Sequence, residues 1–253
     1  MGISAFILAK NEADCILLCL DSLKWVEQIV VIVDEATTDG TAEICRQAGA
    51  EVIVQPWLGF SAQAQLGLDL AQHDWVLRVD ADETVSPALR DELLKLVDTQ
   101  TSYDAFKIPS RNFFWGRELR CLYPNRKVRL FRRGAGYFSA KAVHEEWIPH
   151  VATASIGRLK GDFYHDGYRN LPEFVNTMTR YAELAADDIL ERGPVRSIWP
   201  AIGDFLWDFF KYHIIKRGFL DGAAGLTYNL GHAYYMYLRY AIAYERTCRQ
   251  RKK

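Results

Sequence analysis

Trp75-Val-Leu-Arg-Val-Asp80-Ala-Asp82-Glu83 is an apolar strand that runs straight into a group of carboxylates. Trp75, Val76, Leu77 and Val79 predict a buried strand over 75–79, with the acids falling where it ends. In an open α/β sheet, ligands bind in the crevice beyond the carboxyl ends of the strands. Asp80 and Asp82 are spaced to share one hard cation, and Mg2+ or Mn2+ typically takes one or two carboxylates together with substrate phosphate oxygens. The stretch therefore points to a divalent-metal site for a phosphate-bearing ligand. The competing reading makes the same acids the cap of the next helix, just ahead of Ser86-Pro87.

Outward from this stretch, the N-terminal part alternates. Apolar strands are predicted over 3–9, 29–33 and 51–54. Ile16, Leu17, Leu20 and Leu23 give one apolar face to the stretch after Lys10-Asn11-Glu12. Thr37-Thr38-Asp39-Gly40-Thr41 opens a helix that runs to Ala48, with Asp39 as its N-cap and Gly49 as its stop. A further helix is expected over 63–71. Strand-helix alternation implies βαβ units and a parallel, doubly wound sheet. After a helix over 87–97 the pattern breaks into short strand-like pieces at 105–109, 127–131 and 137–138, read as antiparallel additions to the sheet. From Leu171 the chain reads as helices over 171–192, 198–217 and 223–246. The expected organisation is an α/β domain over 1–165, with its ligand half at 1–100 and a second half at 101–165, followed by a helical region over 166–253.

The length of 253 residues allows a substantial core, and 49% hydrophobic with 25% charged residues is ordinary for a globular protein. A net charge of −1 argues against a general nucleic-acid binder. The charge is uneven, however. Residues 196–253 carry ten Lys/Arg against four Asp/Glu, and the preceding residues 21 against 28. A basic, aromatic C-terminal segment on an acidic body predicts an anionic surface as partner. Five cysteines without zinc-type spacing read as reduced, mainly buried thiols. No apolar run reaches the ~18 residues that a spanning helix needs, and no leader precedes the first strand. The expected location is cytoplasmic, peripheral on the inner face of the cytoplasmic membrane.

Three acidic strand ends line up: Glu12, Asp34, and Asp80 with Asp82. Ile7-Leu-Ala-Lys-Asn-Glu12, Val31-Ile-Val-Asp34-Glu-Ala-Thr-Thr-Asp39-Gly-Thr41 and Asp80-Ala-Asp82-Glu83 together resemble the opening turn, nucleoside-binding turn and metal motif of GT-A, family 2 glycosyltransferases. Asn125-Arg-Lys-Val-Arg-Leu-Phe-Arg-Arg133, Val143-His-Glu145 and Arg217-Gly-Phe-Leu-Asp-Gly222 resemble the branch that adds β-glucose to the lipopolysaccharide inner core. The resemblance implies a GT-A fold, Rossmann-like and mostly parallel, with a C-terminal helical extension. It implies a metal-dependent, inverting transfer of a hexose, glucose from UDP-glucose, to an inner-core heptose or another glycolipid acceptor.

Under that resemblance Glu12, Asp34, Asp80 and Arg129 contact the donor. Asp34 accepts hydrogen bonds from uracil or ribose, and Asp80 serves the ribose or a metal-bound water. Asp82 and His144 hold Mg2+ or Mn2+, with protonated His144 on the diphosphate as the alternative. Glu145, with Glu146 as fallback, is the base that deprotonates the acceptor hydroxyl. Alternation predicts Lys127 and Arg129 on one strand face and Val128 and Leu130 on the other, so that one or two of the cations clamp a phosphate or simply face water. Arg111-Asn-Phe-Phe-Trp115 is suited either to stacking sugar rings or to core packing. Two departures from the family pattern stand out. Glu35-Ala-Thr-Thr38 replaces a Ser/Gly-rich turn, and Ala64-Gln65 stands where the family often has Lys-Asn or Arg-Asn, so Arg78 or the later basic run must supply the positive charge.

Trp199, Ile202, Phe205, Leu206, Phe209, Phe210 and Ile214 recur at three- and four-residue spacing, with Lys211, Lys216 and Arg217 nearby. This is the pattern of a helix lying in a membrane interface, and equally of one packed on its own chain or on a second subunit. Two rival readings are kept: a sugar nucleotidyltransferase, which wants a Gly-rich, Arg-containing loop after the first strand, and a non-catalytic membrane-docked scaffold. The oligomeric state is left open.

Overall fold

The computed structural model describes residues 2–99, 101–139 and 146–251. In chain order the elements of its N-terminal part are β1 (Ile3–Ala9), α1 (Ile16–Asp21), β2 (Gln28–Asp34), α2 (Thr41–Gln47), β3 (Glu51–Gln55), α3 (Phe60–Leu70), β4 (Trp75–Asp80), β5 (Glu83–Val85) and α4 (Pro87–Asp98). There follow β6 (Ala105–Phe114), β7 (Arg117–Glu118), β8 (Asn125–Arg132), β9 (Gly136–Phe138), β10 (Trp147–Pro149), β11 (Ile156–Arg158) and β12 (Phe163–His165). The chain divides into two compact units, one formed by Met1–Arg111 with Pro124–His165, the other by Asn112–Tyr123 with Asp166–Lys253.

The first unit is built on a mixed sheet in the order β3-β2-β1-β4-β8-β6-β12-β5. β3, β2, β1 and β4 are parallel, while β8 runs antiparallel to both β4 and β6. Burial on both faces explains the near-continuous apolar runs of β1 and β2. One face, through Ile3, Ala5, Ile7, Val31, Trp75, Leu77 and Val79, packs on α1, α2 and α4. The other, through Phe6, Val30, Ile32, Val76 and Phe131, packs on α3. Gly67 lets α3 lie directly on the ring of Phe6, where any Cβ would collide. This is the α/β arrangement, mostly parallel with antiparallel additions, that the strand-helix alternation predicts and the resemblance implies.

Four local readings change. The face of α1 that is buried carries Ile16, Cys19 and Leu20, whereas Leu17 is half exposed. Ser86 caps α4 by accepting from the Leu89 N–H at 3.2 Å, with Pro87 in the first turn, so the acids after β4 are released from that task. Gly40 (φ +83°) is the residue before α2, and Asp39 acts from one position earlier, accepting from the Thr41 N–H at 3.2 Å and from the Ala13 N–H at 3.0 Å. Residues 137–138 join not the main sheet but a separate ladder, β9 with β10.

The second unit contains β7, which pairs with the end of β6 across a turn at Trp115-Gly116, both with positive φ as a tight hairpin requires. Its helices are α5 (Leu171–Glu191), α6 (Trp199–Phe209) and α7 (Gly222–Arg251). Asn170 caps α5, accepting from the Glu173 N–H at 2.9 Å, while the Glu173 carboxylate accepts from the Arg169 N–H at 3.1 Å. The expected helix over 198–217 is α6 followed by a π-helical stretch, Phe210–Ile215, and a short 3-10 turn, Gly218–Asp221, comes after it. Phe114, Leu119, Phe174, Met178 and Ala224 form this unit's core. Phe114 is therefore a packing residue, while Trp115, stacked on it at 4.8 Å, is half exposed.

Candidate active site

Strand order and register bring the three acidic strand ends together. Ala9 of β1 lies beside Val33 of β2, and Leu8 beside Asp80 of β4, so Lys10, Asp34 and Asp80 emerge at one edge of the parallel sheet. Asp34 is buried, 2% exposed, yet ionised: Lys10 Nζ lies 2.6 Å from its Oδ2 and the Ala36 N–H donates to its Oδ1 at 3.0 Å. The Lys10 hydrogen bond, with that N–H, holds the carboxyl below the usual carboxylate range despite burial. Glu12 emerges from the same turn, its N–H donating to Thr41 Oγ1 at 2.9 Å, and the Asn11 side chain accepts from the Thr38 N–H at 2.9 Å. The Asp34–Thr41 loop is thus tied to the β1 turn by several side-chain-to-backbone bonds, which shape it without the Ser/Gly-rich sequence.

Asp80 is gripped by arginine. Arg129 approaches it with both terminal nitrogens, Nη1 donating to Oδ1 at 3.0 Å, and Arg78 Nη2 is 3.5 Å from the same oxygen. Burial alone would raise the Asp80 carboxyl, but Arg129 and then Arg78 override it and hold it well below the usual range. Arg129 also reaches Glu83 Oε1 at 3.3 Å, and Glu83 Oε2 accepts from the Asp80 N–H at 3.2 Å. Glu83 has the opposite balance: burial pushes its carboxyl up, Arg129 opposes, and the neighbouring Asp80 adds to the rise.

Arg129 reaches this position because the strand is irregular. β6 pairs Phe106 with Leu130 and Lys107 with Val128, leaving Arg129 as an extra residue in β8. Alternation fails at that bulge: Leu130 joins the core face with β1 and β4, while Val128 packs on the opposite one. Lys127 and Arg129 accordingly part company, the first exposed, the second 3% exposed and directed at Asp80 and Glu83 rather than at solvent. The bulge was invisible in the sequence, which shows only a run of regular strand formers.

Asp82 has a partner that the sequence reading missed. His165, on β12, pairs in register with Glu83 of β5, and its Nε2 lies 3.1 Å from Asp82 Oδ2. Burial would lower the imidazole, but Asp82 wins and raises it to about 9. Nothing near His165 in the chain marks it; only β12–β5 pairing across about eighty residues reveals it. His144 and Glu145, expected as metal ligand and base, lie outside the described residues. Glu146, the fallback, is exposed, and its N–H donates to Ser139 Oγ at 3.3 Å. Ala64 is fully buried and Gln65 accepts from the Phe138 N–H at 2.9 Å, so this pair serves packing, and the cations at the sheet edge are Lys10, Arg78 and Arg129.

An Asp oxygen facing an imidazole nitrogen is a donor set that Mn2+ or Mg2+ accepts in part. Among the described residues no third His, Cys, Asp or Glu completes a metal cage.

Comparison with known proteins agrees with this architecture. The family model described as Glycosyl transferase family 2 matches residues 4–154. An uncharacterized glycosyltransferase of Rickettsia typhi is 30% identical over 98% of this chain and 89% of its own. The lipopolysaccharide core biosynthesis glycosyltransferase LpsC of Rhizobium meliloti is 28% identical over 96% of this chain and 94% of its own. Among solved structures, the mannosyltransferase PcManGT of Pyrobaculum calidifontis, in complex with GDP-Man and Mn2+, aligns with a TM-score of 0.51 at 15% identity over 98% of this chain and 73% of that one. With its parallel sheet, its acidic strand ends and a family match over more than half its length, the chain belongs to glycosyl transferase family 2.

Proposed function

We propose that this glycosyltransferase moves a hexose, glucose from UDP-glucose, with inversion and with the help of Mg2+ or Mn2+, to a heptose of the lipopolysaccharide inner core. The observation that carries the reading is the state of Asp82. Asp34 is committed to Lys10, and Asp80 and Glu83 to Arg129, whereas Asp82 faces a histidine across 3.1 Å. It is the carboxylate best placed to exchange its partner for a cation. The full-length likeness to LpsC supports the acceptor class.

In this scheme Asp34 accepts hydrogen bonds from the uracil or ribose, and Glu12 and the loop it holds complete that end of the donor. Asp80, fixed by Arg129, presents its exposed edge to the ribose. Asp82 would hold the cation, with His165 joining it once the cation displaces the proton that Asp82 keeps on the imidazole; when bound, the cation would offset the charge that builds on the departing diphosphate. His144 remains a further candidate ligand. Lys10 and Arg78 supply the positive field missing at Ala64-Gln65. Glu145, or Glu146 in its place, takes the proton from the acceptor hydroxyl as its oxygen bonds to the anomeric carbon and the bond to the nucleotide diphosphate breaks.

Calorimetric titration of UDP, with and without Mn2+, on wild type and Asp82→Asn tests this. Metal-dependent binding lost in the variant, with its melting temperature unchanged, is the expected result. Binding of another nucleotide but not UDP would overturn the donor. Indifference of folded wild type to every nucleotide with metal present would instead favour a non-catalytic scaffold.

A further inference from the structure

The second unit contains a helix whose polarity is reversed. α6 turns its carboxylates inward and its tryptophans outward. Asp208 is buried and 2.7 Å from His232 Nδ1 of α7, and Asp204 is 2.6 Å from Arg239 of the same helix. On the outside, Trp199 is 73%, Leu206 61% and Trp207 59% exposed. The apolar surface continues through Phe210, Ile214 and Ile215 of the π-helical stretch to Phe219 and Leu220 of the 3-10 turn. A water-facing helix buries the apolar stripe and exposes the charges. This segment does the opposite, although its inward acids have partners on α7. A contiguous aromatic and aliphatic patch of this kind marks an interaction surface.

The charges around the patch identify what covers it. Every acid between 196 and 221 is turned inward: Asp204 to Arg239, Asp208 to His232, and Asp221, also buried, to the Cys121 N–H at 3.1 Å. The cations face outward. Arg196, Lys216 and Arg217 are exposed, and Lys211 and Lys216 flank Tyr212 with their ammonium groups 5.0 and 5.6 Å from its ring centroid. An apolar, Trp-containing surface whose most exposed charges within 196–221 are cations is complementary to a bilayer interface with anionic headgroups. A protein partner would need matching acids around a dry centre. No helix among the described residues is long and apolar enough to cross a membrane, so the segment lies on the surface rather than spanning it.

We propose that the outer face of α6, the Phe210–Ile215 stretch and the Gly218–Asp221 turn is a monotopic docking site for an anionic lipid bilayer, with Trp199, Trp207, Phe210 and Ile215 entering the interface and Lys211, Lys216 and Arg217 meeting the headgroups. The inference deepens the glycolipid-acceptor reading by naming the surface that brings the enzyme to its acceptor. The membrane itself is the partner, and no sugar acceptor is needed for docking.

The test is co-sedimentation of the full chain with vesicles of phosphatidylcholine alone and of phosphatidylcholine with phosphatidylglycerol, none containing glycolipid. Wild type is expected to bind the anionic vesicles at low salt and to release as salt rises. Lys211→Glu/Lys216→Glu/Arg217→Glu should weaken binding by about tenfold or more, and Trp207→Ser/Phe210→Ser should weaken it in both salts. Metal-dependent UDP binding, measured on the same variants, should be unchanged, so failure of docking and failure of the donor reading are separable. Wild type that ignores anionic vesicles overturns the proposal. So does a stable dimer in solution that Trp207→Ser/Phe210→Ser converts to monomer, because the patch is then covered by a second copy.

Discussion

Replacing Arg129 by methionine should be strongly damaging to the first unit while leaving the expected metal pair untouched. Arg129 is 3% exposed and is shared by Asp80 and Glu83, which are joined to each other through the Asp80 N–H. Methionine keeps an unbranched apolar stem and removes every donor. Glu83 would then lose its cation and Asp80 would keep only Arg78, 3.5 Å from one of its oxygens; breaking a buried pair by removing one partner costs about 3–5 kcal/mol. The Asp80 side chain is 36% exposed, so water screens part of the loss and the lower end, ~3 kcal/mol, is expected. For a chain of this size that corresponds to a fall of roughly 6–12 °C in melting temperature. The assay is thermal and urea unfolding of wild type, Arg129→Met and Arg129→Met/Glu83→Gln. The second substitution removes one of the two charges that Arg129 served while its amide oxygen can still accept from the Asp80 N–H, so it should recover about half of the loss. A single variant within ~0.5 kcal/mol of wild type, or a double variant no more stable than the single, would refute the account of Arg129 as the shared counter-ion.

The other expectations are smaller or more local. His165→Gln should weaken Mn2+-dependent UDP binding by about tenfold, ~1.4 kcal/mol, while leaving any metal-independent component unchanged in the same calorimeter; equal loss with and without metal would remove His165 from the metal site. Asp34 has a depressed carboxyl, so its contribution to stability is fully present above its unfolded value and is lost as pH falls through the lower folded one; Asp34→Asn should therefore shallow the acid arm of a urea-midpoint profile, and a profile parallel to wild type would contradict the Lys10 pairing. Gly67→Ala puts a methyl into the Phe6 ring and should cost about 1–3 kcal/mol of unfolding free energy. Asn170→Ala removes the α5 cap and should cost about 1 kcal/mol, read by the same unfolding curves.

What could be read from the sequence followed from periodicity. β1, β2, β3 and β4 are continuous apolar runs separated by helix signals, and the crossover rules then leave little freedom in how they are ordered. The acids at their carboxyl ends came into view for the same reason, since a strand that stops at a carboxylate names its own crevice. Residues whose position depends on pairing rather than pattern were out of reach. His165 gains its meaning from the β12–β5 ladder, and Lys10 from lying one strand away from Asp34. Arg129 was noticed as one cation in a basic run, but its direction is set by a bulge that takes one residue out of step and leaves no mark in composition.

The C-terminal helices show a different limit, because there the pattern was legible and its sense was not. The spacing of Trp199, Ile202, Leu206 and Phe210 is that of any amphipathic helix, and sequence alone cannot say which face meets protein. The answer comes from the acids. Asp204 and Asp208 are four residues apart on one side of α6, and each finds a partner on α7, Arg239 and His232 respectively. Once those pairs form, the polar face is the inner one, and the apolar face must be outermost. The partners are 35 and 24 residues further along the chain, a separation at which no local pattern connects them. A helix that is held to its neighbour through Asp204 and Asp208, instead of by its apolar stripe, keeps that stripe available for a surface outside the chain. The carboxylate contacts with α7 and the exterior tryptophans are therefore one device: exchanging Asp204 and Asp208 for leucine should let α6 compete to bury its apolar residues inward, and vesicle binding should fall even though none of the outward tryptophans or cations has been altered.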